Sequence, residues 1–306
     1  MNNYPLLSHE RLIERLALPA GPADVVMDTD TFNEIDDQFA VTYALLSPNL
    51  NVKALYAAPF YNANSTGPAD GMERSYQEIL RLLDRLGRSA EGLAFRGSTS
   101  YLPAKGAPVH SAAAEDLIAK AMAQGDSPLY VLAIGCITNV ASALLLEPRI
   151  AEKIVIVWLG GHPTYWQDAR EFNLMQDVPA AQVVFDSGAP LVLLPCINVA
   201  EHLRTTLPEI EAYVKGRGPI GDYLYETYRN CHDDHFAYSR VIWDISTVAF
   251  MNKPAWIPTR IEPSPVLRDD ITWGPTDAAR HPVRMAYRVN RDAVFGDLFR
   301  KLAANA

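Results

Sequence analysis

DVVMDTDTFNEIDDQFA, residues 24–40, opens on an apolar run, Val25-Val26-Met27, and passes straight into Asp28, Asp30, Glu34, Asp36 and Asp37. An apolar run that ends in polar residues and resumes as an apolar-periodic stretch from Ile35 reads as strand, loop and helix. The acids then sit at the carboxyl end of the strand. The same rhythm recurs downstream, with strands predicted at 52–58, 92–97, 129–135, 154–161 and 190–195 and helices at 35–46, 70–87, 111–124, 138–146 and 178–187. Strand and helix alternating in this way predict a single α/β domain with a mostly parallel central sheet flanked by helices. Residues 129–134 and 154–159 are almost continuously apolar, as central strands covered on both faces must be. After residue 200 helices are expected over 207–217, 219–231 and 239–251, strands near 256–262 and 283–289, and a last helix over 291–303.

No repeat or long linker divides residues 1–306, so one domain is expected, with 1–22 as an N-terminal extension. Leu12, Ile13, Leu16 and Leu18 predict a short amphipathic helix there, ended by Pro19-Ala20-Gly21-Pro22. The N-terminus lacks the basic start and apolar core of a secretory leader, and no stretch is long enough to span a bilayer. The chain carries a net charge of −9 and has no basic run of five residues, which argues against a nucleic-acid partner. Cys136, Cys196 and Cys231 are widely spaced and odd in number, so a cytoplasmic, reducing setting is expected.

In parallel α/β sheets ligands bind beyond the carboxyl ends of the strands. Four ends are polar here: Asp28 and Asp30; Pro59 to Asn62; Ile134 to Asn139; and Gly160-Gly161-His162 followed by Glu171-Phe172-Asn173. Two carboxylates about 4 Å apart repel by roughly 4 kcal/mol at an effective dielectric near 20. Capping the following helix would employ Asp36 or Asp37, but not Asp28 and Asp30 as well. A hard cation such as Ca²⁺ or Mg²⁺ explains the group together. An EF-hand starting at Asp28 fails, because its sixth and twelfth positions are Asn33 and Phe39. A haloacid-dehalogenase-like phosphatase is a remote alternative for Asp28-Thr29-Asp30-Thr31; the later strand ends in Trp158-Leu159-Gly160-Gly161, where that family would show acidic ligands.

The combination DTDTFNEIDDQFA, PFYN, IGCITNVASAL, WLGGH, EFN and a late Trp243-Asp244 resembles the inosine-uridine nucleoside hydrolases from about residue 24 to the C-terminus. The resemblance implies a calcium-dependent hydrolase of the N-glycosidic bond of ribonucleosides, a homodimer or homotetramer. It implies that Asp30 touches both the metal and the attacking water and acts as general base. Asp37, the Thr138 carbonyl and Asp244 would complete the Ca²⁺ site. Asp36 and Asn173 would bind ribose hydroxyls, Glu171 the ribose 3′ or 5′ side, and Asn62 would help hold the sugar. A carboxylate at Asp244, inside the apolar stretch VIWDISTVAF, needs a partner on physical grounds alone.

The sequence departs from that family in the half of the site that reads the base. TFNEI puts two extra residues between Asp30 and Asp36, so the loop must bulge and bring Asn33 or Glu34 to the pocket. The family's His-Asp pair is Trp243-Asp244 here, which removes the histidine proposed as the leaving-group acid in one subgroup. An asparagine expected before EFN is absent; Tyr165, Trp166 and Gln167 stand there. Leaving-group activation is therefore sought in His232, His235, Tyr225, Tyr228 or Arg240, or in stacking on Trp243 or Trp166. Two other functions stay open: a hydrolase of the same fold acting on another riboside, and a calcium- and ribose-binding homologue without turnover.

Overall fold

The apolar runs become strands because both of their faces find cover. The computed structural model describes residues 7–305. It begins with α1 (His9–Arg15), β1 (Ala23–Thr29), α2 (Asp36–Leu45), β2 (Leu50–Ala57), α3 (Pro68–Arg85), β3 (Ala94–Arg96), α4 (Ala112–Met122) and β4 (Leu129–Ala133). It continues through α5 (Thr138–Leu146), β5 (Ile154–Leu159), α6 (Phe172–Gln176), α7 (Val178–Asp186), β6 (Leu191–Leu194) and β7 (Arg204–Thr205). The remainder is α8 (Leu207–Tyr213), α9 (Gly218–Arg229), β8 (Arg240–Val241), α10 (Ile245–Asn252), β9 (Thr259–Pro263), β10 (Pro282–Ala286) and α11 (Arg291–Ala304). Of the N-terminal extension, residues 1–6 lie outside the described residues.

The result is a single α/β domain. Its eight-stranded sheet has the order β3-β2-β1-β4-β5-β6-β10-β9. Every pairing is parallel except the one between β9 and β10 at the edge. All six residues of β5 are buried, and the sheet carries one apolar cluster on each face. The strand order reverses between β1 and β4, because β2 and β3 lie on one side of β1 and β4 to β6 on the other. The connections leave a crevice at that reversal, which is where open α/β sheets bind ligands.

The expected helix over 239–251 begins only at Ile245. Arg240 and Val241 instead pair antiparallel with Thr205 and Arg204. The apolar periodicity of the stretch suits a helix, but the long-range ladder takes the first two residues. Two helices matter most for the site. Every residue of α2 is buried, and so are Ile245–Met251 of α10. Helices that are apolar all round belong in the interior, so their acidic N-terminal ends are carried inward with them.

Candidate active site

The acids of α2 and the acid at the start of α10 meet. Asp36, Asp37 and Asp244 are buried, and each offers a carboxylate oxygen within 4.8 Å of the others. None serves as a helix cap: the residue before α2 is Ile35, and Asp244 makes no side-chain cap bond. Asp37 Oδ1 accepts the Thr29 hydroxyl at 2.5 Å, and Asp36 Oδ2 accepts the Trp243 main-chain N–H at 3.2 Å.

Asp30 immediately follows β1 beside this group, fully buried, with neither carboxylate oxygen in a hydrogen bond among the described residues. Gly135 keeps the space open. A Cβ there would lie 3.0 Å from Asp30 Oδ1. Asp28 stands behind, its Oδ1 accepting Asn139 Nδ2 at 2.7 Å, while Asn139 Oδ1 accepts the Ser98 N–H and hydroxyl.

The electrostatics follow from burial. Desolvation first, then the charges of Asp37 and Asp36, push the Asp30 carboxyl well above the usual carboxylate range. Desolvation and then Glu34 do the same to Asp36; desolvation and then Asp36 do so to Asp244. Asp37 rises to about 7 through burial, opposed by its Thr29 hydrogen bond. Asp28 also rises to about 7 through burial, opposed by Asn139. Without a counter-charge these acids must hold protons. The donor set is all oxygen, three of its carboxylates converge, and Asp30 offers two oxygens without partners. A hard divalent cation fits such a site, and a soft one does not.

A cavity of about 280 Å³ opens over this group. Asp36, Asp37, Asp244 and Trp243 line one part, with Asn33 and Glu34 of the inserted turn. His162, Arg170, Glu171, Phe172 and Asn173 line another. Glu34 reaches across to Arg240 at 2.9 Å, joining the turn to β8.

The remaining residues singled out in the sequence are placed as follows. Asn173 Nδ2 donates to the Ile134 and Leu159 carbonyls, at 3.2 and 3.0 Å, so the side chain ties the ends of β4 and β5 together at the cavity. Glu171 lines the cavity but caps α6: Oε1 accepts from Asn173 N, and Oε2 from Gly161 N and Leu174 N. The Thr138 hydroxyl donates to Asp177 at 2.6 Å, which anchors the start of α5 under the crevice. Asn62 is outside the cavity lining and donates to Asn33 Oδ1 at 2.5 Å.

His232 and His235 are not brought to the cavity, which corrects the expectation that they touch substrate. They lie on the loop after α9, where His232 bonds the Asp234 main chain and His235 the Arg229 carbonyl. His232 also stacks on Tyr238 with ring centres 4.2 Å apart. Main-chain contacts hold one nitrogen of each ring in the loop, while His235 Nδ1 is buried without a partner. Tyr225 and Tyr228 are buried in the core, the latter donating to the Thr205 carbonyl. The lining residues that motif reading passed over include Arg170, Cys196 and Ile197. Arg170 carried one usable signal, since it immediately precedes the EFN motif.

The profile of a protein family described as inosine-uridine preferring nucleoside hydrolase matches residues 25–296. Among curated proteins the chain is similar to a pyrimidine-specific ribonucleoside hydrolase RihA of Citrobacter koseri. The two are 27% identical over 270 residues, covering 78% of this chain and 80% of the relative. Among solved structures it is similar to a purine-preferring ribonucleoside hydrolase from Gardnerella vaginalis, with a TM-score of 0.70, 20% identity, and 92% and 98% of the two chains covered. It is also similar to an inosine-uridine preferring nucleoside hydrolase from Bacillus anthracis, with a TM-score of 0.71, 21% identity, and 92% and 99% covered. At those identities the structural likeness establishes the fold alone.

Proposed function

Since this chain belongs to the inosine-uridine preferring nucleoside hydrolase family, and is a ribonucleoside hydrolase by that membership, we propose that Asp30 is its general base and that it works on a Ca²⁺ ion. Asp30, Asp37, Asp244 and the main-chain carbonyl of Thr138 would hold the ion. When bound, the ion supplies a seat for the ribose diol and lowers the pKa of the water it holds. The observation that carries this reading is the buried Asp30 carboxylate with two free oxygens, set beside three converging carboxylates.

The chain's own residues then divide the work. Asp30, ionised once a cation balances its neighbours, accepts the proton of the attacking water. Asp36 keeps Oδ1 for a ribose hydroxyl, because its Oδ2 is occupied by the Trp243 N–H. Asn173 is oriented by the two carbonyls its amide nitrogen serves, which leaves its oxygen as an acceptor for a second hydroxyl. Positive charge grows on the sugar as the glycosidic bond stretches, and the surrounding carboxylates stabilise it. Asn62 acts through Asn33, holding the inserted turn in place. Trp243, which lines the cavity, offers an aromatic face to the base in place of the histidine of the family's His-Asp pair. Calcium as the particular ion and a homo-oligomer of two or four chains belong to the same proposal.

Reducing-sugar release from purine and pyrimidine ribonucleosides, with calcium and with chelator, tests it. Chelator-sensitive ribose release is expected. Chelator-insensitive release would remove the cation from the mechanism.

A further inference from the structure

The cavity carries charge of one sign at one end and an unpaired cation at the other. At the β1 end the lining includes Asp36, Asp37 and Asp244, with Asp30 fully buried beside them. Arg240, which lowers the Asp36 carboxyl, is itself bound to Glu34. At the β5 end the lining includes His162 and Arg170. The Arg170 guanidinium donates to the Asp270 main-chain oxygen at 2.7 Å, its one side-chain hydrogen bond among the described residues. A guanidinium has five N–H donors in a fixed fork, so this tether orients Arg170 and leaves most of its donors free. His162 follows Gly161, which turns the chain at φ +67°, and its Nδ1 is buried without a partner. Glu171, between them, has both oxygens engaged by the main-chain N–H groups of Gly161, Asn173 and Leu174.

The orientation of a bound riboside follows from the function proposed above, on which this inference rests. With the diol on the cation and C1′ presented to the water at Asp30, the far side of the ring, C4′ and C5′, points away from β1. It points along the strand ends toward Asn173, Glu171, His162 and Arg170. We propose that this end of the cavity is a subsite for a 5′-phosphate, in which Arg170 and His162 hold the phosphate of a nucleoside 5′-monophosphate.

Arginine matches phosphate by paired N–H donors, and such charge-assisted bonds are about twice as strong as neutral ones. The opposing charges are Asp168, whose Oδ1 accepts the Arg170 main-chain N–H, Asp270, whose carboxylate feels the Arg170 charge, Glu201 near His162, and the capped Glu171. They favour the competing occupant, a free 5′-hydroxyl donating to Glu171, and the experiment decides between the two. In the reaction itself water adds its oxygen to C1′ and the C1′–N bond breaks with its electron pair leaving on the base. One proton of the water ends on the base and the other stays on the new hydroxyl, so the products are ribose 5-phosphate and free base.

Calorimetric titration of the full chain, loaded with calcium, with ribose, ribose 5-phosphate and inorganic phosphate tests the subsite without turnover. Ribose 5-phosphate is expected to bind about tenfold or more tighter than ribose, the scale of one charge-assisted contact. Arg170→Ala is expected to remove most of that preference, and Arg170→Lys to restore only part, because lysine cannot make the paired contact. Equal affinities for the two sugars in the unaltered chain would overturn the proposal whatever the variants do. So would a preference that survives Arg170→Ala. Base release from a nucleoside and its 5′-monophosphate separates this from the underlying function. Hydrolysis of nucleosides with no preference for phosphate defeats the subsite and leaves the hydrolase. Selective binding of ribose 5-phosphate with neither substrate cleaved does the reverse.

Discussion

Replacing Asp244 by asparagine should stabilise the protein without metal and destabilise it with calcium. With carboxylate oxygens of the three acids within 4.8 Å of one another, each ionised pair repels by roughly 3 kcal/mol or more at an effective dielectric of 20. Asp244 belongs to two such pairs. Proton uptake limits what this costs. Raising a carboxyl from 3.8 to about 7, as burial does for Asp37, corresponds to about 4 kcal/mol at neutral pH. An asparagine amide left without a partner gives back about 1–3 kcal/mol of that relief, so a net gain of about 1–3 kcal/mol is expected. For 306 residues an unfolding entropy of about 2.1 cal/mol/K per residue turns this into a rise in Tm of about 2–5 °C. Calcium at a thousand times its dissociation constant adds about 4 kcal/mol to the unaltered chain, or about 6 °C on the same entropy scale, and should add little to the variant. Paired melts in chelator and in calcium, for both chains, read the crossover. The sign with pH is a second check. The raised carboxyls bind protons more readily in the folded state than in the unfolded one. Metal-free stability should therefore increase as pH falls from about 7 toward 4, while the calcium increment shrinks. A variant equally destabilised in chelator and in calcium would refute the argument, because Asp244 would then be a packing residue rather than a member of a charged site.

Asp30→Asn should lower kcat by about 10²–10⁴, the usual contribution of a general base, with the metal-free melting temperature unchanged or higher; near-normal turnover would dismiss Asp30 as the base. Trp243→Ala should lower kcat/KM by about tenfold or more, since stacking on an aromatic ring is worth about 1–3 kcal/mol per base. Calcium affinity should stay level, because the N–H that serves Asp36 is main chain; an equal loss of calcium affinity would show that Trp243 acts by placing Asp36. Burial holds His281 down to about 4, with Nε2 unpartnered. Through this one group the unfolded chain binds more protons between about pH 4 and 6.5, so the His281 contribution is complete above 6.5 and is lost as pH drops, against the opposite trend of the raised carboxyls. His281→Gln should erase about 3 kcal/mol of that acid-side loss, read as the difference between the two chains in denaturant midpoints at pH 7 and pH 4; parallel pH profiles would contradict it.

The sequence by itself determined the layers of this protein and the character of its chemistry. Ile154–Leu159 is apolar at every position, which only a strand covered on both faces tolerates. Asp28 and Asp30 follow an apolar run and therefore stand at a strand end. Asp244 sits in a stretch too apolar to leave a carboxylate unpartnered. Such inferences depend on neighbours within one element, and a chain read in order displays them. Tertiary structure alone decided which groups confront one another. Glu34 and Arg240 meet across 206 positions, and β7 pairs with β8 at the expense of the first turn of a helix. His232 and His235 are as polar and titratable as any residue in the chain, yet their own loop engages them outside the cavity. Glu171 sits in a motif that marks it for substrate, and three main-chain N–H groups from two segments fix where it stands in the cavity wall. The physical reason is common to all four. A polar side chain goes to whichever partner satisfies it as the chain packs, and that competition is settled by contacts between segments distant in sequence.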